Sequence, residues 1–309
     1  MSEVKKRNPY VNLALFLATV AMVYWAGMLH LAAVTISDAV YNGAVFAASL
    51  MAILVAHETG HYVMARKNQV DASLPYFIPI PPLISLFGTL GAVIVMRGRI
   101  RSRSALMQVG AAGPLAGMLV AVPLLFIGLR QCPIVDATSA GYMEGQSLLY
   151  LLAKYIVFGP LPEGKDILIN DSPMAFAGWF GMLITMLNML PIGQLDGGHI
   201  FYALFGDLHG KVSVLFHRLL FVFGLALATW YGFDAWSRQL STEEIVASAI
   251  PGLSWVFLGT IMFLVFRKRG FFHPPTDDND LSLGGKITGI ACLFVFVITF
   301  MPTVMRPIL

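Results

Sequence analysis

The sequence predicts an all-α polytopic membrane protein with about six to seven transmembrane helices and a membrane-associated β-hairpin or re-entrant segment at about residues 72–104. Hydrophobic residues make up 57% of the 309 residues and charged residues only 12%, whereas about a quarter of an average soluble domain is charged. The apolar residues are also gathered into stretches that approach the length of a membrane span. Finally, closely spaced prolines interrupt the helical pattern in one segment.

Seven apolar stretches predict spans, because a helix needs about 20 residues to cross a bilayer. They lie at residues 11–34, 41–66, 105–129, 174–190, 213–233, 249–266 and 286–303. The fourth is short and runs on into the polar residues around Asp196. Residues 146–158 predict an additional short helix lying on the outer surface. We expect three parts along the chain: an N-terminal tail with the first transmembrane helix at 1–40, a central part at 41–205 and C-terminal transmembrane helices at 206–309.

Residues 72–104 differ from the rest of the chain. The apolar runs at 74–80 and 90–96 favour strands, and Gly88-Thr89 between them predicts a turn. A continuous helix is excluded by Pro75, Pro79, Pro81 and Pro82. Lipid does not tolerate unpaired strand backbone, so we expect a hairpin that is buried against helices or dips in from the cytoplasmic side. The return to the aqueous boundary is predicted at Arg97, Arg99, Arg101 and Arg103.

The basic residues predict the orientation. If the N-terminus is cytoplasmic and seven spans alternate, five of the 20 lysines and arginines lie on the far side and the other fifteen on the cytoplasmic side. The five are Arg130, Lys154, Lys165, Arg238 and Arg306. This predicts a multi-pass protein of a bacterial inner (cell) membrane with a cytoplasmic N-terminus. Because the basic clusters adjoin spans and have no separate domain, nucleic acid is not an expected partner.

His57-Glu58-Thr59-Gly60-His61 lies near the end of the second predicted span. His57 and His61 are four residues apart on one helix face, a spacing that suits two imidazoles on one Zn²⁺. Glu58 is placed to act as a base on the attacking water without ligating the metal. Arg66 follows His57 by nine residues, roughly 14 Å of helix. A chance match is the alternative, but ionisable groups in an apolar span are costly and are usually functional.

Asp196, in Leu195-Asp196-Gly197-Gly198, is the expected third zinc ligand, because two histidines and one carboxylate leave an open coordination position. Under the predicted topology it also lies at the cytoplasmic end of its span. The alternative is an ordinary Asp-Gly-Gly turn. His199 could compete as a ligand, although a position beside the site is expected. Asn188 could donate a hydrogen bond to substrate or to a developing oxyanion, or it could serve only helix packing.

Other candidate residues are assigned no catalytic role. Cys132 and Cys292 are expected to form no disulfide and lack metal-ligand spacing. We expect the isolated histidines to be interfacial or in loops: His30, His209, His217 and His273. Small residues in the third span predict tight helix packing beside the site: Gly110, Gly113, Pro114 and Gly117.

These motifs resemble the site-2 protease family of intramembrane zinc metalloproteases. The resemblance covers roughly residues 41–205, which it implies to be the catalytic core. It rests on the His57 motif, Gly113-Pro114, and the two runs 187–191 and 195–199. Phe272-His273-Pro274-Pro275 resembles the cyanobacterial and chloroplast branch, and the 130–173 loop is too short for the PDZ domain of many bacterial members. The resemblance implies zinc held by His57, His61 and Asp196, with Glu58 as catalytic base.

The function expected from these observations is an intramembrane zinc metalloendopeptidase. Its partners would be transmembrane protein substrates and the lipid bilayer, and its active site would face the cytoplasmic side. The alternative is a membrane metal transporter or metal sensor that uses the same ligands. Glu58 argues against it, because a transport site has no use for a base beside a ligand pair. A catalytically silent scaffold is disfavoured because each expected reactive residue is present.

Overall fold

The computed structural model describes residues 9–96, 100–137, 141–267, 270–278 and 280–308. Several of the basic residues used to predict orientation lie outside these ranges: Lys5, Lys6, Arg7, Arg97, Arg99, Lys268 and Arg269. The described chain is mostly helical. Its helices are α1 Pro9–His30, α2 Ile36–Lys67, α3 Arg103–Leu129, α4 Leu148–Phe158, α5 Pro173–Asn188, α6 Asp196–Phe205, α7 Leu208–Ser237, α8 Thr242–Phe266 and α9 Leu283–Thr299.

The structure confirms a polytopic helical membrane protein. Five described helices, α1, α2, α3, α7 and α8, are long and apolar enough to cross a membrane. The predicted fourth and seventh spans are the apolar helices α5 and α9, of 16 and 17 residues. At 1.5 Å per residue each is about 25 Å long, short of a hydrocarbon core of about 30 Å. The predicted short helix at 146–158 is α4.

The predicted hairpin is present. Strands β1 (Tyr76–Pro79) and β2 (Thr89–Val93) pair antiparallel, and an irregularity in register falls between Phe77 and Pro79. The predicted turn at Gly88-Thr89 is wrong, because the strands are joined by the longer connection 80–88. That connection contains its own turn, in which Ile84 N donates to Pro81 O over 2.9 Å, and it closes where Ile80 N donates to Gly88 O over 3.0 Å.

The chain divides into two compact units, of which the first comprises residues 1–100, 115–132 and 169–184. Within it α1 packs on α2, where Gly27 and Gly43 face each other closely enough that a Cβ at Gly27 would lie 2.9 Å from Gly43 Cα. Phe87 of the hairpin connection stacks on Phe180 with ring centroids 3.4 Å apart. Hairpin, α1, α2 and the first part of α5 therefore belong to one packed set.

The second unit comprises residues 101–114, 133–168 and 185–309. Its long helices α7 and α8 pack extensively on each other. Strands β3 (Ile134–Asp136) and β5 (Lys165–Ile167) pair antiparallel, as do β4 (Tyr142–Glu144) and β6 (Met305–Pro307). The predicted outer loop 130–173 thus holds three short strands, α4 and a 3₁₀ turn at Ile169–Asp171.

A buried ionic cluster lies under α4 in this second unit. The Lys154 ammonium pairs with the Asp166 carboxylate and lies 4.0 Å from Glu144 Oε1. Tyr150 OH donates to the same Glu144 oxygen over 2.7 Å. Burial raises the pKa of the Glu144 carboxyl, and the Tyr150 hydrogen bond and the Lys154 charge oppose that rise only in part. The cluster explains why a helix this apolar carries a lysine on its inward face.

Candidate metal centre

The helix that carries the His-Glu-x-x-His motif, α2, has a capped N-terminus. Thr35 and Asp38 form a reciprocal capping box in which Asp38 N donates to Thr35 Oγ1 over 3.1 Å and Thr35 N donates to Asp38 Oδ2 over 2.9 Å. From there α2 runs for 32 residues without interruption. His57, Glu58 and His61 lie more than five turns from that start, so regular helix geometry fixes their spacing.

The two histidines face each other closely. Their Nε2 atoms lie 3.1 Å apart, and the ring planes are inclined at 71°. Two nitrogen ligands at about 2.0–2.1 Å from a tetrahedral Zn²⁺ would lie roughly 3.3 Å from each other. The imidazole pair therefore has nearly the spacing that shared zinc coordination requires.

His57 and the neighbouring glutamate are shielded from solvent. His57 is 4% exposed and Glu58 is 5% exposed. Gly117 of α3 lies against the His57 ring, since a Cβ at this position would be 3.3 Å from His57 Cβ and from Nδ1. The predicted tight packing of α3 small residues is confirmed here. It is confirmed again at Gly110, where a Cβ would lie 3.0 Å from His199 Cβ.

Asp196 is the first residue of α6, not part of a loop as the sequence suggested. The turn before it folds tightly onto the helix start, because a Cβ at Gly197 would overlap Met189 O and one at Gly198 would overlap Gly193 O. Both glycines are therefore required by close backbone approach. Ser213 Oγ of α7 accepts a hydrogen bond from Gly193 N over 2.8 Å and fixes the turn from the other side.

His57, His61 and Asp196 each offer one ligand atom, and these atoms all lie within 4.8 Å of one another. A carboxylate in the first turn of a helix is also favoured by the helix dipole. Two imidazoles and one carboxylate form the donor set of a catalytic zinc site with an open fourth position. The donor set of these side chains therefore fits zinc.

Two other predicted site residues, Asn188 and His199, lie near Asp196 in the sequence. Asn188 is the last residue of α5 and is partly buried. His199 is 6% exposed, and its Nδ1 lies 2.8 Å from Nε2 of His273. His199 does not belong to the group of His57, His61 and Asp196 found among the described residues, and its position beside the site stays a prediction.

His273 lies in a loop, as expected, whereas His209 and His217 are buried in α7. His209 and His273 also contact each other across the sequence. Tyr202 stacks on His273 with centroids 4.5 Å apart, and the His209 ring lies 6.2 Å from that of His273. Sequence spacing could not reveal this cluster, because His199 and His273 are 74 residues apart. The one clue in the sequence was the Phe-His-Pro-Pro motif itself. Cys132 and Cys292 are both buried, and neither forms a disulfide.

Comparison with known proteins gives a family match and several relatives. The family model described as peptidase family M50 matches residues 45–230. This range includes the three candidate ligands and Glu58. One similar protein is the "Probable zinc metalloprotease EGY2, chloroplastic" of Oryza sativa subsp. indica, which is 33% identical over 192 residues, covering 60% of this chain and 33% of that protein.

Two further relatives match over most of the chain. The protein of the same name from Arabidopsis thaliana is 31% identical over 264 residues, covering 81% of this chain and 40% of the relative. The "Probable zinc metalloprotease EGY1, chloroplastic" of Oryza sativa subsp. japonica is 29% identical over 264 residues, covering 82% and 39%. The chain thus spans between a third and two fifths of the length of these curated relatives.

We expect Gly117→Ala to weaken zinc binding about tenfold, because the new methyl group would push on the His57 ring and disturb a ligand orientation. The measurement is a competitive chelator titration of zinc on the purified chain. Gly232→Ala is the matched control, since a Cβ at Gly232 in α7 meets nothing within 4 Å. Equal zinc affinity in both variants would show that α3 does not constrain His57.

Proposed function

Because the chain belongs to peptidase family M50, the site-2 protease family, we propose that it is a zinc metalloendopeptidase that hydrolyses peptide bonds within or near transmembrane segments of membrane-anchored proteins. The observation that carries this proposal is the convergence of His57, His61 and Asp196 within 4.8 Å, with Glu58 adjacent in sequence to the first ligand. The relatives' names as probable zinc metalloproteases support it.

In this proposal His57, His61 and Asp196 hold the zinc. When bound, zinc would polarise the scissile carbonyl and make a water molecule more acidic. Glu58 takes the proton of the attacking water and passes it to the departing amine. The charge of Asp196 balances part of the charge of the dication, which helps to keep a charged centre among apolar helices.

The burial of Glu58 supports its role as base. A carboxylate that is 5% exposed lies in a water-poor environment, where its hydrogen bond to a water molecule at the metal is stronger than in bulk solvent. It also sits one residue from a ligand, so it can reach a water at the metal without occupying a coordination position. This arrangement is what distinguishes a hydrolytic site from a metal transporter or sensor, the alternative that the family match does not favour.

The proposal extends to the substrate and to the limits of the catalytic core. Asn188 would donate a hydrogen bond to substrate or to the developing oxyanion. Residues 41–205 would form the catalytic core, preceded by a first part at 1–40 and followed by C-terminal transmembrane helices at 206–309. The family match over residues 45–230 supports a core in this part of the chain.

We further propose that the protein resides in a bacterial inner (cell) membrane, with its N-terminus and active site toward the cytoplasmic side. The uneven distribution of lysine and arginine supports this orientation. The named relatives are chloroplastic proteins, so the orientation rests on the charge distribution of this chain.

Glu58→Gln should abolish cleavage while zinc remains bound. The loss should be about 10²- to 10⁴-fold, because an amide cannot accept the proton that a general base removes. The measurement is cleavage of single-span substrates by the chain reconstituted in lipid vesicles, with zinc content determined on the same sample. Glu243→Gln, at an exposed position of α8, should cleave like the parent. Undiminished cleavage by Glu58→Gln would remove Glu58 from its assigned role.

Asn188→Ala should lower kcat about 10²-fold with little change in KM, which is the effect of removing one oxyanion donor. The measurement is steady-state cleavage of the same substrates. Asn42→Ala is the matched control, because its amide donates to Ala32 O over 2.7 Å and it lies in α2 fifteen residues before His57. If Asn188→Ala lowers thermal stability without changing kcat, its amide serves packing and the oxyanion assignment is wrong.

The orientation is tested with single cysteines in a chain whose buried Cys132 and Cys292 are replaced by alanine. Glu163→Cys, in the exposed turn before β5, should react with a membrane-impermeant thiol reagent added to intact spheroplasts. Asp280→Cys, in the exposed segment before α9, should react only after the membrane is opened. The opposite labelling pattern would reverse the orientation.

A further inference from the structure

A short segment in the second unit, residues 270–278, connects α8 to the region before α9, and we call it the strap. Its C-terminal end is attached to the start of α3. Asp277 N donates to Arg101 O over 2.6 Å, and the Asp278 carboxylate accepts from Arg103 N over 3.0 Å. Asp278 therefore supplies a cap to the first turn of α3 from a position 175 residues away. A loop that only joined α8 to α9 would not need these hydrogen bonds to the start of α3.

The middle of the strap is bound to α6. His273 Nε2 lies 2.8 Å from His199 Nδ1, and the His273 ring stacks on Tyr202 at an interplanar angle of 22°. Thr276 N also donates to Tyr202 OH over 3.3 Å. His199 and Tyr202 are both residues of α6. The strap thus contacts the helix that begins with Asp196 through a hydrogen-bonded pair and a stacked pair.

The hydrogen-bond pattern defines the direction of the histidine pair. His273 Nδ1 lies 2.6 Å from Pro274 O, and a carbonyl can only accept, so this nitrogen carries the proton. The other nitrogen of neutral His273 is then an acceptor, and His199 Nδ1 must be the donor. Burial lowers the pKa of His273 and favours this neutral form. Each ring therefore has one nitrogen with a defined role in the link.

Helix α6 depends on such outside contacts. It has only ten residues, and Leu195 at its N-cap makes no side-chain cap hydrogen bond. A helix this short has little stability of its own. Asp196 and His199 are three residues apart and share a face of the helix. A displacement of His199 would therefore also displace the Asp196 carboxylate, because both residues lie in the same helical turn.

We propose that His273 is a positioning residue, which holds α6 through His199 so that the Asp196 carboxylate stays in place to bind zinc. The inference rests on the proposed function, since it takes Asp196 as a metal ligand. It gives the Phe272-His273-Pro274-Pro275 motif a physical role. Pro274 provides the carbonyl that fixes the His273 tautomer, and the following residues carry the strap to its attachment on α3.

The test uses amide side chains that replace one ring nitrogen at a time. The Asn amide lies near the position of Nδ1, and the Gln amide reaches near that of Nε2. The link uses Nε2 of His273 and Nδ1 of His199. Gln should therefore replace His273 better than Asn does, and Asn should replace His199 better than Gln does. A purely structural requirement for bulk would give no such opposite preference at the two positions.

The measurement is zinc affinity by competitive chelator titration on the full chain in detergent, with thermal unfolding of each variant as a second readout. We expect His273→Asn and His199→Gln to bind zinc about tenfold more weakly than the parent, an effect in the range seen when the outer hydrogen-bond partners of metal sites are removed. His273→Gln and His199→Asn should stay within about threefold of the parent. All four should fold.

Three outcomes would overturn the proposal or its premise. If all four variants bind zinc like the parent, the strap does not position Asp196, whereas the proposed function stands. If all four lose zinc and thermal stability equally, the strap is only structural. If the parent itself takes up no zinc, the proposed function fails and the strap proposal fails with it. If the parent binds zinc but the Glu58→Gln variant still cleaves substrate, only the assignment of Glu58 as base is contradicted.

Discussion

The structure depends on the cost of keeping ionisable side chains in an apolar environment. His57 and Glu58 are almost fully buried in a helix whose preceding residues, such as Leu50, Ile53 and Leu54, are core residues. Unpaired polar groups in such surroundings cost several kcal/mol each, and charged ones cost more. A divalent metal held by these side chains would offset that cost, because coordination uses the imidazole lone pairs and the carboxylate balances part of the charge of the metal. The apolar helices therefore make metal binding at this position favourable.

The three candidate ligands are held in two different ways. The two imidazoles are on one capped helix of 32 residues, so their spacing follows from backbone geometry alone. Asp196 starts a helix of ten residues, and its place depends on glycine contacts with residues 189–193, on Ser213 and on α6 contacts made by distant residues. Substitutions far from the centre should therefore act on the carboxylate more easily than on the histidine pair.

The sequence predicted what is encoded locally. Helical spacing placed His57 and His61 on one face, proline positions predicted the hairpin segment, and span length predicted most helices. It failed where distant residues decide the outcome. The longer connection 80–88 replaces the predicted turn, and its last residue, Gly88, has a φ of +75° and lies against the backbone of Met22, which is distant in sequence. The His199–His273 contact could not be predicted either, because no periodicity links residues so far apart.

The two glycines after Asp196 show how local and distant constraints combine. From the sequence, Asp-Gly-Gly was compatible both with a turn and with a ligand on a flexible backbone. The structure shows Gly197 and Gly198 in a helix, where glycine is normally unfavourable by about 1 kcal/mol relative to alanine. Alanine would nevertheless be worse at these two positions, because a side chain at either one would collide with the backbone of residues 189–193. Glycine here therefore provides close packing, and a tightly packed carboxylate is better suited to metal binding than a flexible one.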